Sequence, residues 1–287
     1  MNVEPLRAAF LQTAMNTNLK RMIALAGLML ACASSMAASL VINVGGERSL
    51  TAEQLLARPD AATIRVPNDV TFHRTMTYRA VPLRALLGIA ALPADKELQI
   101  TGTDGFVTHL PARLLFGDAK KRAEPWLAIE TPDEPWPQVS GSGDIGPFYL
   151  VWIDPAASGV SSEQWPFKVD AIRIAPTLAA RWPQIAVGKN VPADSPIRRG
   201  QRVFGTQCMV CHKLNGAGDA SMGPDLNRPH NPTEYFQPWV LKSFIRDPKS
   251  IRAWADMKMP GFDKNALSDG DLDAVIAYLG YMAKHRK

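Results

Sequence analysis

The chain has 287 residues, 46% of them apolar and 21% charged, with 20 glycines, 23 prolines and three cysteines. This is ordinary globular composition, enough to bury real cores, and the length makes two domains the natural expectation. The formal net charge of +5 is unevenly shared: 14 Lys/Arg stand against 9 Asp/Glu from residue 197 onward, with 18 of each before it. The basic residues are not interleaved with stacking aromatics, which argues against a nucleic-acid partner.

At the start, Lys20 and Arg21 precede an apolar run over 22–33, and Ser35-Met36-Ala37 has the small-x-small form of a processing site. The pattern predicts a cleaved export signal over 1–38 and hence a periplasmic location. The first 14 residues are surplus to such a signal, so translation from Met15 is expected. The apolar run is too short for a permanent transmembrane anchor. Cys32 opens a lipoprotein alternative, but Met29, not a leucine, stands three residues before it. With Cys32 removed, two cysteines remain and no structural disulfide is left.

Residues 39–178 predict an α+β domain with a mixed sheet. Extended runs fall at 39–44, 62–66, 97–101, 106–110, 126–130, 148–153 and 169–174. Thr51-Ala52-Glu53-Gln54 has the form of a capping box and predicts a short helix through Arg58. A second helix is expected over 81–92, burying Leu83, Leu86, Leu87 and Ile89. His73, Met76 and His109 mix soft and imidazole groups suited to copper, against the plainer reading of hydrogen-bonded histidines on strands. Gly141-Ser142-Gly143-Asp144 lacks the strand-to-helix setting of a phosphate loop.

Within this half, Val81-Pro82-Leu83-Arg84-Ala85-Leu86-Leu87, Thr103-Asp104-Gly105-Phe106 and Gly146-Pro147-Phe148-Tyr149-Leu150-Val151 come in that order. Together they resemble the molybdopterin-binding fold of sulfite oxidases. The resemblance implies a scaffold rather than an activity. Active members of that family bind molybdenum through a cysteine thiolate, and no cysteine lies between Cys32 and Cys208. The domain therefore reads as a degenerate relative, without molybdenum, that docks a partner or shields a cofactor. Residues 179–196, with Pro183, Pro192 and Pro196, read as a semi-rigid tether whose 182–187 patch lies against a domain surface.

The remaining segment, 197–287, carries Cys208-Met209-Val210-Cys211-His212. In C-x-x-C-H the two thiols are placed to add across the vinyl groups of a haem, and the imidazole takes one axial position on its iron. The competing readings are a redox disulfide, which wants a βαβ setting, and half a zinc site, for which His230 alone is a poor partner. Met259 supplies a soft thioether for the second axial position. Met257 is its rival; Pro260 holds Met259 in extended geometry, off any helix. Ser268 and Asp271 predict a helix start, followed by Leu272, Val275, Ile276, Leu279 and Met282 at helical spacing. A middle helix is expected from Trp239 to Ile245, stopped by Pro248.

With Gly223-Pro224-Asp225-Leu226 between the ligand candidates, and Gly200 and Phe204 before the motif, residues 196–283 resemble a class I cytochrome c. That resemblance implies an all-α domain with one covalent haem c. It also implies that the Pro224 carbonyl accepts a hydrogen bond from His212, and that Gly200 and Phe204 lie at a helix crossing with Tyr278 as partner. The expected activity is carriage of single electrons rather than catalysis, exchanged with a periplasmic dehydrogenase or oxidase. The basic surplus suits an acidic docking face on that partner. The alternative is a molybdenum-dependent, sulfite-oxidase-like oxidoreductase feeding its own haem domain.

Overall fold

The computed structural model describes residues 38–117, 122–255 and 257–286. The expected export signal, with Cys32 and the small-x-small site, lies outside the described residues.

The first part of the described chain is built on two sheets. Strands β1 (Ser39–Asn43), β2 (Glu47–Thr51), β5 (Lys96–Gly102), β6 (Val107–Pro111) and β9 (Val169–Pro176) form one, in the order β2-β1-β9-β5-β6. Its β1–β9 pair is parallel and its other pairs are antiparallel, so this sheet is mixed. Strands β3 (Ala62–Val66), β4 (Met76–Pro82), β7 (Glu124–Ile129) and β8 (Phe148–Ile153) form an antiparallel second sheet. Leu40, Ile42, Leu98, Ile100, Leu127 and Trp152 are among the fully covered side chains of the core beneath these strands.

Helix α1 (Ala52–Leu56) starts where Thr51 and Gln54 cap each other reciprocally, but ends two residues before Arg58. The helix expected over 81–92 is a correction. Val81 and Pro82 belong to β4, helix α2 spans only Leu83–Leu87, and Gly88 ends it in a left-handed turn. Strands β2 and β4 and the one-turn helix α3 (Ala112–Phe116) were not among the expected elements.

Past β9, α4 (Leu178–Arg181) leads into a segment that is packed, not free. Ile185 and Val187 are buried with Phe204, Tyr278 and Leu279. The Tyr278 hydroxyl donates to the Ile185 carbonyl at 2.7 Å, and Arg198 donates to the carbonyls of Val191 and Gly188.

The helical part follows: α5 (Pro196–Gln207), α6 (Pro232–Tyr235), α7 (Pro238–Arg246), α8 (Pro248–Ile251) and α9 (Asp269–Ala283). Ser268 caps α9 by accepting from the Asp271 N–H. Helices α5 and α9 cross at Gly200, where a Cβ would run into the Ala274 backbone and the Tyr278 side chain. The Phe204 and Tyr278 rings, 5.4 Å apart, fill the space beside that crossing. Among the described residues no helix is long and apolar enough to cross a membrane.

Candidate functional site

Helix α5 delivers the C-x-x-C-H segment. Cys208 is its C-cap, with its N–H bonded to the Phe204 carbonyl at 2.9 Å. The next turn is tight: the N–H groups of Cys211 and His212 both reach back to the Cys208 carbonyl, at 3.1 and 2.8 Å. Such a turn gathers side chains that are three and four residues apart. Cys208, Cys211 and His212 accordingly line one cavity of about 510 Å³, within the range of a cofactor pocket.

The loop 222–226 holds the imidazole. His212 Nδ1 lies 2.9 Å from the Pro224 carbonyl oxygen, which can only accept, so Nδ1 carries the proton. Nε2 is left with its lone pair. Burial lowers the pKa of His212 despite the opposing effect of that hydrogen bond, and the ring is held neutral as a metal ligand must be. At Gly223 a Cβ would stand 2.6 Å from His212 Nδ1 and Cε1. Only glycine lets this loop lie flat against the ring.

The other walls are mainly apolar, with Gln207, Lys258 and Glu163 among the exceptions. Phe236 and Phe244, with ring centroids 5.4 Å apart, line the cavity, as do Met257 and Met259. Met259 packs on the cluster of Leu241, Ile245, Phe262, Leu267 and Leu272, whereas the Met257 N–H closes a turn onto the Trp254 carbonyl at 3.2 Å. Both thioethers thus share a chamber with the His212 imidazole.

Burial, then the Glu163 charge, pushes both thiols above the ordinary thiol range, Cys211 to about 12. Among the described residues no group of three or more His, Cys, Asp or Glu side chains could hold a metal ion. Two neutral thiols, a neutral imidazole and two thioethers around an apolar slot, with a glycine where a Cβ would obstruct the ring, fit a haem well.

One wall comes from the sheet half. Glu163, in the 3-10 turn Ser162–Gln164, lines the same cavity, and burial pushes its carboxyl up to about 7. Nothing in the local sequence signals this residue; only the tertiary fold brings it here. Around it the two halves meet in a polar seam. The Val107 N–H donates to the Val210 carbonyl at 3.1 Å, inside the C-x-x-C-H segment itself. Asp219, in the loop after His212, takes a forked contact from Arg181 (3.1 and 2.5 Å) and a bond from Gln99 (2.7 Å). It also lies 3.6 Å from His109 Nε2, an ion pair rather than a hydrogen bond.

The copper candidates do not converge in this way. His109 is 8% exposed and sits 2.9 Å from Glu97, at an angle that makes no hydrogen bond, so the contact is one of charge. His73 is an exposed turn residue at φ 52°, bonding through its N–H to the Asp69 carbonyl.

Residues 197–283 match the family model described as Cytochrome c. No curated protein and no solved structure matches the chain. The C-terminal part is a cytochrome c domain, which implies covalently bound haem and points to electron transfer.

Proposed function

We propose that this chain is an exported carrier of single electrons with one haem c. In this reading Cys208 and Cys211 form the thioether links, and His212 and Met259 take the two axial positions on the iron. The observation that carries it is the convergence of both thiols, the imidazole and a methionine thioether on one apolar cavity, in a segment that matches Cytochrome c. Haem, when bound, supplies reversible one-electron chemistry at iron. The protein orients the imidazole through the Pro224 carbonyl and surrounds the slot with phenylalanine and leucine, which keeps water out. Two protein ligands leave no position for a substrate, which favours carrying electrons over catalysis. Met259 is preferred to Met257 because it is held in the apolar cluster and is followed by Pro260.

In the same reading residues 1–38 are the export signal, 39–178 a sulfite-oxidase-like scaffold, 179–196 the connection and 197–287 the electron-carrying domain. The scaffold shields the haem-attachment segment and contributes to docking. The partner is a periplasmic dehydrogenase or oxidase with an acidic face, drawn by the basic surplus after residue 197. The molybdenum alternative wants a thiolate that 33–207 do not contain.

Metal analysis of the full chain produced with haem maturation decides between them. One iron and no molybdenum per chain, with haem surviving denaturing electrophoresis and lost from the Cys208→Ser/Cys211→Ser variant, is the expected result. Molybdenum equal to iron overturns it in favour of the enzyme.

A further inference from the structure

The turn Ser162–Gln164 belongs to the sheet half, yet its central residue lines the haem cavity. The backbone there is tightly fixed. Gln164 Oε1 accepts from the Ser161 N–H at 3.0 Å, and the Gln164 N–H donates to the Ser161 carbonyl at 3.1 Å. Trp152 Nε1 donates to the Gln164 carbonyl at 2.7 Å, and Gln164 Nε2 reaches the His109 carbonyl at 3.4 Å. Gln164 and Trp165 are buried immediately after it, so Glu163 faces the cavity by construction.

Its carboxyl is held in no ion pair among the described residues, although Lys258 lines the same cavity. The carboxyl accepts a long contact from the Ser162 hydroxyl, which donates to Oε1 at 3.4 Å. Among the described residues no Lys, Arg or His forms an ion pair with it, although such pairs tie Asp219, Asp269, Asp271 and Glu234 elsewhere. An unpaired carboxylate beside an apolar slot is unfavourable for packing alone. Glu163 lines the same cavity as Cys208 and Cys211, so its carboxyl faces the ring that those sulfurs would hold, and the intervening apolar medium screens its charge weakly.

We propose that Glu163 is the residue by which the sheet half sets the reduction potential of the haem, its carboxylate favouring the oxidised state and lowering the potential. This rests on the haem reading above. Net charge and burial around a haem are among the levers a protein has on its potential. Here one is delivered across a domain seam. The Val107–Val210 bond and the contacts on Asp219 keep the Ser162–Gln164 turn in register with Cys208 and Cys211. The sheet half thereby acts on the electron without holding a cofactor.

The test is a potentiometric titration of the full, haem-loaded chain as wild type, Glu163→Gln and Glu163→Asp, at about pH 8.5, where a carboxylate is ionised. The wild-type spectrum is read first: without covalent haem there, both the electron-carrier reading and this proposal are overturned. With haem present, Glu163→Gln is expected to raise the potential while Glu163→Asp, which keeps the charge, stays close to wild type. The weak long-wavelength band of iron–methionine bonding should be unchanged in all three. A Glu163→Gln potential equal to or below wild type overturns the proposal and leaves the haem reading standing. So does an equal rise in Glu163→Asp, which would make the effect one of packing rather than charge.

Discussion

Val107 of the sheet half and Val210 of the C-x-x-C-H segment are joined backbone to backbone, N–H to carbonyl, at 3.1 Å. A second bond, from the Ser221 N–H to the Gly105 carbonyl at 3.4 Å, joins the loop after His212 to the same β5–β6 turn. Val210 is 1% exposed as a result. The segment that carries the thiols is thus roofed by the chain's own first half. This roofing brings the sheet half up to the cavity that the C-x-x-C-H segment lines.

The seam should respond to pH. His109 is pulled down by burial, but the facing Asp219 and Glu97 outweigh that and the opposing Arg181, leaving its pKa above the ordinary 6.5. Its charge therefore stabilises fully below the ordinary value, and the contribution is lost as pH rises through the raised one. Asp219 is shifted by burial upward and, more strongly in sum, by His109 and Arg181 downward, to about 2. Its contribution is present above the ordinary carboxylate value and is lost as pH falls toward about 2. Removing one partner of a buried pair costs about 3–5 kcal/mol. His109→Gln should lower the unfolding midpoint most between roughly pH 4 and 6.5, with the gap to wild type closing at alkaline pH. A gap constant from acid to alkaline pH would mean that packing, not charge, holds the seam.

Gly200→Ala should be among the costliest single-methyl additions in the chain. The new carbon meets the Ala274 backbone, which cannot step aside as a flexible side chain would. Overpacking of this kind costs about 1–3 kcal/mol, more where backbone must move. Urea unfolding of the haem-loaded protein gives the value; a loss under about 0.5 kcal/mol would show that α5 and α9 slide apart freely.

Buried asparagines close the C-terminal end of α9. Asn227 Nδ2 donates to the Met282 carbonyl at 2.9 Å and to Asn215 Oδ1 at 2.7 Å, while Asn231 Nδ2 donates to the Leu279 carbonyl at 3.1 Å. Both carbonyls lie near the C-terminal end of α9, and that of Met282 also accepts from the His285 N–H at 3.0 Å. Asn227→Ala removes two buried hydrogen bonds at the end of α9, at about 1–3 kcal/mol in all. Faster amide exchange confined to the end of α9 would confirm the cap; unchanged exchange there would refute it.

Local signals in the sequence were the most readable. Thr51 with Gln54, and Ser268 with Asp271, are caps within four residues, and each opens a helix in the structure. Gly200 and Phe204 were legible through the resemblance to class I cytochromes c, which implies a glycine and an aromatic at the helix crossing. The structure places Gly200 against Ala274 and Phe204 against Tyr278. Strand β2 was missed because ERSLT is polar and mostly exposed, with none of the alternation a buried strand shows. Strand β4 ends at Pro82 just before Leu83, so its apolar residues merged with those of α2 into one false period. Residues whose role depends on distant partners left no trace. Glu163 is an acidic residue in a polar loop, and Asp219 one in a glycine-rich loop, until the fold sets each against a histidine, an arginine or a pair of thiols.

Met257 and Met259 line the same cavity and are separated by one residue, so substitution is the direct way to assign the ligand. Met259→Ala should abolish the long-wavelength band of iron–methionine bonding and lower the potential, since a thioether ligand raises it. The haem should stay attached, because Cys208 and Cys211 are untouched. Met257→Ala should keep the band, since among the described residues Met259 but not Met257 packs on the cluster of Leu241, Ile245, Phe262, Leu267 and Leu272, and the Met257 N–H closes a turn onto Trp254. Loss of apolar cover would cost it a little stability, about 1 kcal/mol. If the band instead survives Met259→Ala and disappears with Met257→Ala, the two roles are exchanged. The apolar cluster around Met259 would then be packing that happens to face the haem.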